Sequence, residues 1–195
     1  MRLKNCFPQD AYVQRVTEAV NDLDGKVILV GHSLAGMVIS QVAESIPKKI
    51  ERLVYVCAIL PKNGDTGLGL MQSDKNGQLL PKVIFSQDQT SATLKAEDIR
   101  DILLHDADEM HIEEMLPKLS MKQATQPFMA PAQLSAAKFG AVGKHYIRAS
   151  FDKVLSLSLQ DEMIANWKMD QVSTLASGHF PLISMAQSLC EVIKK

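Results

Sequence analysis

The sequence predicts an α/β protein in three layers: a mostly parallel sheet of about four strands, packed with helices and interrupted once by an inserted, mainly helical segment. Three observations carry this. Apolar runs at Lys26–Val30 and Arg52–Ala58, the segment Lys144–Ser150 where strand and helix resume alternating, and a weaker segment at Gln171–Ala176 read as strands. Segments with apolar residues at helical spacing separate them, and a strand, a helix and a strand in succession imply a right-handed parallel pair. The alternation fails once, from Pro61 to about Pro131. With 195 residues and 46% hydrophobic content, the chain can bury one sizeable core and has little room for a second. One domain is therefore expected, with its core in residues 1–63 and 132–195 and a cap inserted at 64–131.

Asp10 can cap a first helix whose Val13, Val16, Val20 and Leu23 follow the 3.6 period, with Gly25 as its stop. Within the Lys26–Val30 strand, Val27 to Val30 with Gly31 form a short apolar run, as in a strand buried on both faces. The next helix carries Val38, Val42 and Ile46 and ends at Pro47. Arg52–Ala58 adds β-branched and aromatic residues, which suit a strand. The insert opens with a stretch rich in Gly, Asn and Asp, then places Ile99, Ile102 and Leu103 on one face and runs through Met110, Met115 and Met121. Such adaptable side chains suit either core packing or the roof of an apolar pocket. After the Lys144–Ser150 strand comes a helix with Leu159, Met163, Ile164 and Trp167. Gln171–Ala176 then leads through the Gly178-His179 turn to Pro181, a good first-turn residue for a last helix with Leu182, Met185, Leu189 and Val192 inward.

A net charge of −1 gives no basic field for nucleic acid. Cys6, Cys57 and Cys190 are odd in number and form no C-x-x-C or Cys/His ligand spacing, so neither a disulfide framework nor a metal site is expected. MRLKNCFPQD has no apolar signal core, and no run is long enough to span a membrane. A cytoplasmic protein without membrane or nucleic-acid partners is the expectation.

Function is concentrated in Lys26–Gly36, KVILVGHSLAG. Small residues flank Ser33 where a strand meets a helix, as a nucleophile elbow requires, although Ala35 stands where G-x-S-x-G has its second glycine. An ordinary turn with a capping serine has the same local pattern. In an open parallel sheet, ligands bind beyond the carboxyl ends of the strands. Ser33 follows the first strand, Asp152 the third and His179 the fourth, which is the order of nucleophile, acid and base. His179 would take the serine proton, and Asp152 would fix the imidazole tautomer. Asp65, after the second strand, is a rival acid. His105, Asp106, Asp108 and His111 crowd together, but histidines six apart fall on different helix faces, so a solvated surface is expected. His145, within a strand, reads as packed or at an edge.

KVILVGHSLAGMVISQVAE, RLVYVCAILPKNGD, FGAVGKHYIRASFDK and SGHFPLI resemble, in order and spacing, the α/β-hydrolases of the plant methylesterase and hydroxynitrile lyase branch and their bacterial esterase relatives. The resemblance implies an α/β-hydrolase-like fold, a Ser33–His179–Asp152 triad, the Leu34 N–H as an oxyanion-hole donor, and no cofactor. The implied substrate is a small methyl or aryl ester, with His32 and Phe180 beside it. Lyase members carry a lysine after the catalytic histidine; Phe180 at that position favours ester hydrolysis. The resemblance departs at the front. Roughly 50 residues of strand and oxyanion loop precede the matching helix in the family. Their absence predicts a weak oxyanion hole and an apolar sheet edge, which fits either a truncated form or self-association as a homodimer. A non-catalytic descendant that only binds a small apolar ligand is the competing function.

Overall fold

A computed structural model describes residues 8–119 and 122–194. Cys6, Met121 and the side chain of Asp10 lie outside this description. Four strands, β1 (Val27–His32), β2 (Ile50–Val56), β6 (Gly143–Ala149) and β7 (Gln171–Leu175), form one parallel sheet in the order β1-β2-β6-β7. Helices α1 (Pro8–Asn21), α2 (Ala35–Ser45), α7 (Leu157–Ala165), α8 (Pro181–Ser184) and α9 (Ala186–Ile193) accompany it. The sheet is short of partners at β1, which among the described residues pairs only with β2.

Alternation along β2 builds both halves of the core. Leu53 and Tyr55 face one way, with Tyr146 of β6, against Val20 of α1, Met37 and Val42 of α2, and Leu159 and Met163 of α7. Val54 and Val56 face the other way, with Ile147, Ala149 and Leu175, against Leu189 of α9. Each large apolar side chain buried in α2 is worth roughly 1.5–3 kcal/mol, whereas the helix penalty of its β-branched residues is only about 0.5 kcal/mol each. Packing therefore decides that this segment is a helix.

Three expectations about this part fail, each for a packing reason. β1 is not buried on both faces: Val27 and Leu29 pack on the core, but Ile28 and Val30 are 42% and 46% exposed. They lie in register with Arg52 and Val54 on the face that α9 covers elsewhere, and α9 does not reach them. Leu23 falls beyond the end of α1 and is exposed. The final helix breaks at Met185, where φ −139° and ψ 38° leave the helical region, and the turn before it leaves Leu182 on the surface.

Between β2 and β6 lie α3 (Gly67–Ser73), β3 (Ile84–Phe85), β4 (Ser91–Thr93), α4 (Ala96–Asp98), a π-helical turn at Ile99–Leu103, α5 (Glu109–Leu119), β5 (Gln123–Ala124) and α6 (Gln126–Met129). The small antiparallel sheet β3-β4-β5 was not anticipated from the helical pattern, because strands of two or three residues carry no readable period. Thr66 caps α3 by accepting the Gly69 N–H at 2.9 Å, and Ser156 caps α7 by accepting that of Leu159 at 3.3 Å. Ile99, Ile102 and Leu103 are buried as expected, and Met115 packs on the core. Met110, however, is 70% exposed. No helix among the described residues is long and apolar enough to cross a membrane.

Candidate active site

The joint between β1 and α2 holds Ser33 at φ 55°, the left-handed region that costs a non-glycine residue on the order of 1–3 kcal/mol. The surroundings impose that conformation. The Ile59 N–H donates to the Ser33 carbonyl at 3.0 Å, and the Ser33 N–H donates to the Val56 carbonyl at 3.4 Å. Close approach fixes the glycines on either side. A Cβ on Gly31 would lie 2.8 Å from Ile39 Cδ1, and one on Gly36 would strike the backbone carbonyl of Ile59. Ala35 is exposed, so its methyl is accommodated where the pattern expects glycine.

Three loops bring the sequence-predicted residues together. Ser33 Oγ lies 2.9 Å from His179 Nε2, and His179 Nδ1 lies 2.8 Å from Asp152 Oδ2. The Asp152 side chain is shut off from solvent, and its other oxygen accepts the N–H groups of Val154 at 2.7 Å and Leu155 at 3.1 Å. With the carboxylate held by two backbone donors, its free oxygen has one direction left, toward the imidazole. Asp65 sits elsewhere, closing its own turn by accepting the Lys62 N–H at 2.8 Å. Leu34 stands at the head of α2, and its N–H meets no acceptor among the described residues. A group with developing negative charge beside Ser33 would find this donor and the positive end of the helix.

His32 and Phe180 flank the pair. The His32 Nε2–H donates to the His179 carbonyl at 2.6 Å, and the Cys57 thiol donates to the same oxygen at 3.3 Å. Burial, reinforced by the neighbouring His179, pushes His32 down to about 3, so it stays neutral. Burial likewise pushes the Cys57 thiol up, with Asp152 and Asp106 adding to the effect, which makes it a poor nucleophile. Phe180 meets the His32 ring edge-on at 4.9 Å. The donor atoms of His32, Cys57 and His179 lie within 4.8 Å of one another, a spacing a metal could use. Their hydrogen bonds to the His179 carbonyl, Ser33 and Asp152 already engage those atoms.

Above Ser33 opens a cavity of about 690 Å³. His32, Leu34, His179 and Phe180 line it near Ser33; Met71, Leu79, Phe85, Leu94, Phe128 and Met129 supply much of the rest, and among the described residues no Asp, Glu, Lys or Arg contributes. Among the described residues, the methionines at the cavity are Met71 and Met129; Met110 and Met115 do not line it. Of the residues expected to form a solvated surface, Asp108 and His111 do face solvent and bond to each other. Asp106 does not fit that reading: it reaches the loop of His179 and accepts the Gly178 N–H at 2.6 Å. No local pattern signals a contact that spans 72 positions. His145 is buried and bonds Ser173 Oγ at 3.0 Å.

A parallel sheet that hands a strained serine to a helix, with an insertion roofing the strand ends, defines the α/β hydrolases. A model of the alpha/beta hydrolase family matches residues 5–192, and the chain belongs to that family. It is 31% identical to Methylesterase 17 of Arabidopsis thaliana over 82% of this chain and 62% of that protein. Identity to the pyrethroid hydrolase of Sphingobium wenxiniae is 27%, over 93% of this chain and 67% of that one. The crystal structure of a pyrethroid hydrolase from Sphingobium faniae JZ-2 superposes with a TM-score of 0.82 at 25% identity, covering 95% of this chain and 76% of that one. The chain spans between 40% and 62% of the length of the relatives that bear the methylesterase name in Arabidopsis thaliana.

Proposed function

We propose that this chain is a serine carboxylic-ester hydrolase. The observation that carries the reading is the unbroken hydrogen-bonded series Ser33 Oγ, His179, Asp152, assembled from three separate loops at one end of the sheet. In this reading, His179 Nε2 accepts the Ser33 proton as Oγ attacks the ester carbonyl. The resulting oxyanion takes the Leu34 N–H, and the Asp152 carboxylate stabilises the imidazolium. Collapse returns the proton to the departing alcohol and leaves an acyl-serine; a water deprotonated by His179 then releases the acid. The relatives named methylesterase and pyrethroid hydrolase support the same reaction class.

The cavity supports a neutral, apolar ester. Among the described residues its lining has no charged side chain to pair with an ionic substrate, and a buried unpaired charge would be expensive. A volume of about 690 Å³ suits an ester larger than the small methyl or aryl compound that the sequence suggests. The test is labelling by a serine-directed fluorophosphonate with turnover of p-nitrophenyl esters. Label on Ser33 together with loss of turnover in Ser33→Ala supports the reading. Folded protein that takes no label, or a Ser33→Ala variant that still turns over, refutes it.

A further inference from the structure

The segment from Ile99 to Asp106 touches both loops that flank the nucleophile. The Asp101 carbonyl accepts from Lys153 Nζ at 2.8 Å, one residue after Asp152. Asp106 Oδ2 accepts the Gly178 N–H at 2.6 Å, one residue before His179. The second contact is flush. A Cβ on Gly178 would lie 2.5 Å from His105 Cε1 and 2.6 Å from Asp106 Oδ1, so any side chain there would push both of these side chains aside. Among the described residues, the buried Asp106 Oδ1 has no partner, which leaves the Gly178 N–H as the bond that compensates the carboxylate's loss of water.

Other bonds hold the His179 loop on either side of Gly178. Phe151 N–H donates to the Ser177 carbonyl at 2.9 Å, and His32 and Cys57 hold the His179 carbonyl. Between these two points, the Gly178 peptide is fixed by Asp106. Remove that bond, and a residue without a side chain is left to wander directly before the imidazole. Displacing a catalytic group by about 1 Å costs on the order of 10²-fold in rate.

We propose that Asp106 is a positioning residue: its carboxylate grips the Gly178 N–H and so keeps the His179 ring aligned between Asp152 and Ser33. The inserted segment thereby takes part in the chemistry without touching substrate, since Asp106 is absent from the cavity lining. This rests on the hydrolase reading above. In Asp106→Ala, kcat and the fluorophosphonate labelling rate should fall about 30- to 100-fold while KM stays within about threefold. In Asp106→Asn, the amide oxygen can still accept the Gly178 N–H, so both rates should recover to within about fivefold of wild type. A general loss of stability also lowers apparent kcat at constant KM by depleting folded enzyme, so both rates are taken per folded protein by circular dichroism, and the rescue by asparagine is the readout that a purely structural role would not give. Independently of turnover, hydrogen exchange at the Gly178 amide should be slow in wild type and Asp106→Asn and at least about tenfold faster in Asp106→Ala.

An Asp106→Ala protein that labels within twofold of wild type overturns the proposal, as does asparagine performing no better than alanine. If the alanine variant does not fold, wild-type protein decides: a Gly178 amide that exchanges as fast as an open loop overturns the proposal, and a protected one supports it. Wild-type protein that takes no label refutes the hydrolase reading instead, and the exchange experiment still judges the Asp106 contact.

Discussion

Replacing Asp152 with asparagine tests the site at its most constrained atom. One carboxylate oxygen serves the Val154 and Leu155 N–H groups, and the amide oxygen of asparagine can take over that task, so the loop should keep its shape. The other position would then present an NH₂ group to His179 Nδ1, 2.8 Å away in a pocket closed to water. To accept the serine proton at Nε2, the imidazole must carry its own proton on Nδ1, donor against donor. The variant loses a charge-assisted bond worth about 1.5–3 kcal/mol and leaves a buried donor unsatisfied at about 1–3 kcal/mol. The sum, roughly 4 to 6 kcal/mol at the upper end, corresponds to a fall of about 10³ to 10⁴ in kcat. The assay is steady-state hydrolysis of a p-nitrophenyl ester, with circular dichroism to confirm the fold. Asp65→Asn is the control: its oxygen still closes the Lys62 turn, and kcat should stay within about twofold. A folded Asp152→Asn enzyme that keeps more than a tenth of wild-type kcat would refute the reasoning.

Other expectations follow from buried groups and the bare edge. His32 titrates near 3 in the fold against 6.5 when unfolded, so the unfolded chain binds the extra proton between those values. Stability should fall on acidification through that window by on the order of 4 kcal/mol, and urea midpoints for His32→Gln should flatten the acid limb. Lys144 is buried, with Nζ donating to the carbonyls of Phe139 and Val142, and burial pushes it down from 10.5 to about 8. The unfolded state therefore holds the extra proton from about pH 8 to 10.5, so stability should rise across that range by on the order of 3 kcal/mol in wild type and not in Lys144→Met. If a second copy pairs along β1 over Ile28 and Val30, light scattering should give twice the chain mass and Val30→Glu should give a monomer; a monomeric wild type rejects the pairing.

The sequence is informative where burial repeats at a regular interval. β2 is apolar from Leu53 to Val56 because both faces are covered, and α2 shows its period because one side packs on Tyr55. β1 has the same apolar run yet is half bare, because composition records how a side chain would behave if covered, not whether anything covers it. The insert is harder to read. Its small sheet pairs Phe85 with Ala92 and Ser91 with the distant Ala124, through too few residues to generate a pattern.

The site divides along a similar line. That Ser33, Asp152 and His179 share one rim was legible because each lies in a loop that follows a strand, and a parallel sheet carries all its strand ends to one side. What holds them there was not legible. The strained serine depends on Ile59, the imidazole on His32, Cys57 and Asp106, and the carboxylate on two N–H groups of its own loop. Ala35 illustrates the difference. A motif reading counts it as a departure, whereas the steric demand falls one residue later, on Gly36, which lies against the Ile59 carbonyl. The glycine in such an elbow is required by the nearest backbone, and that neighbour belongs to a different loop.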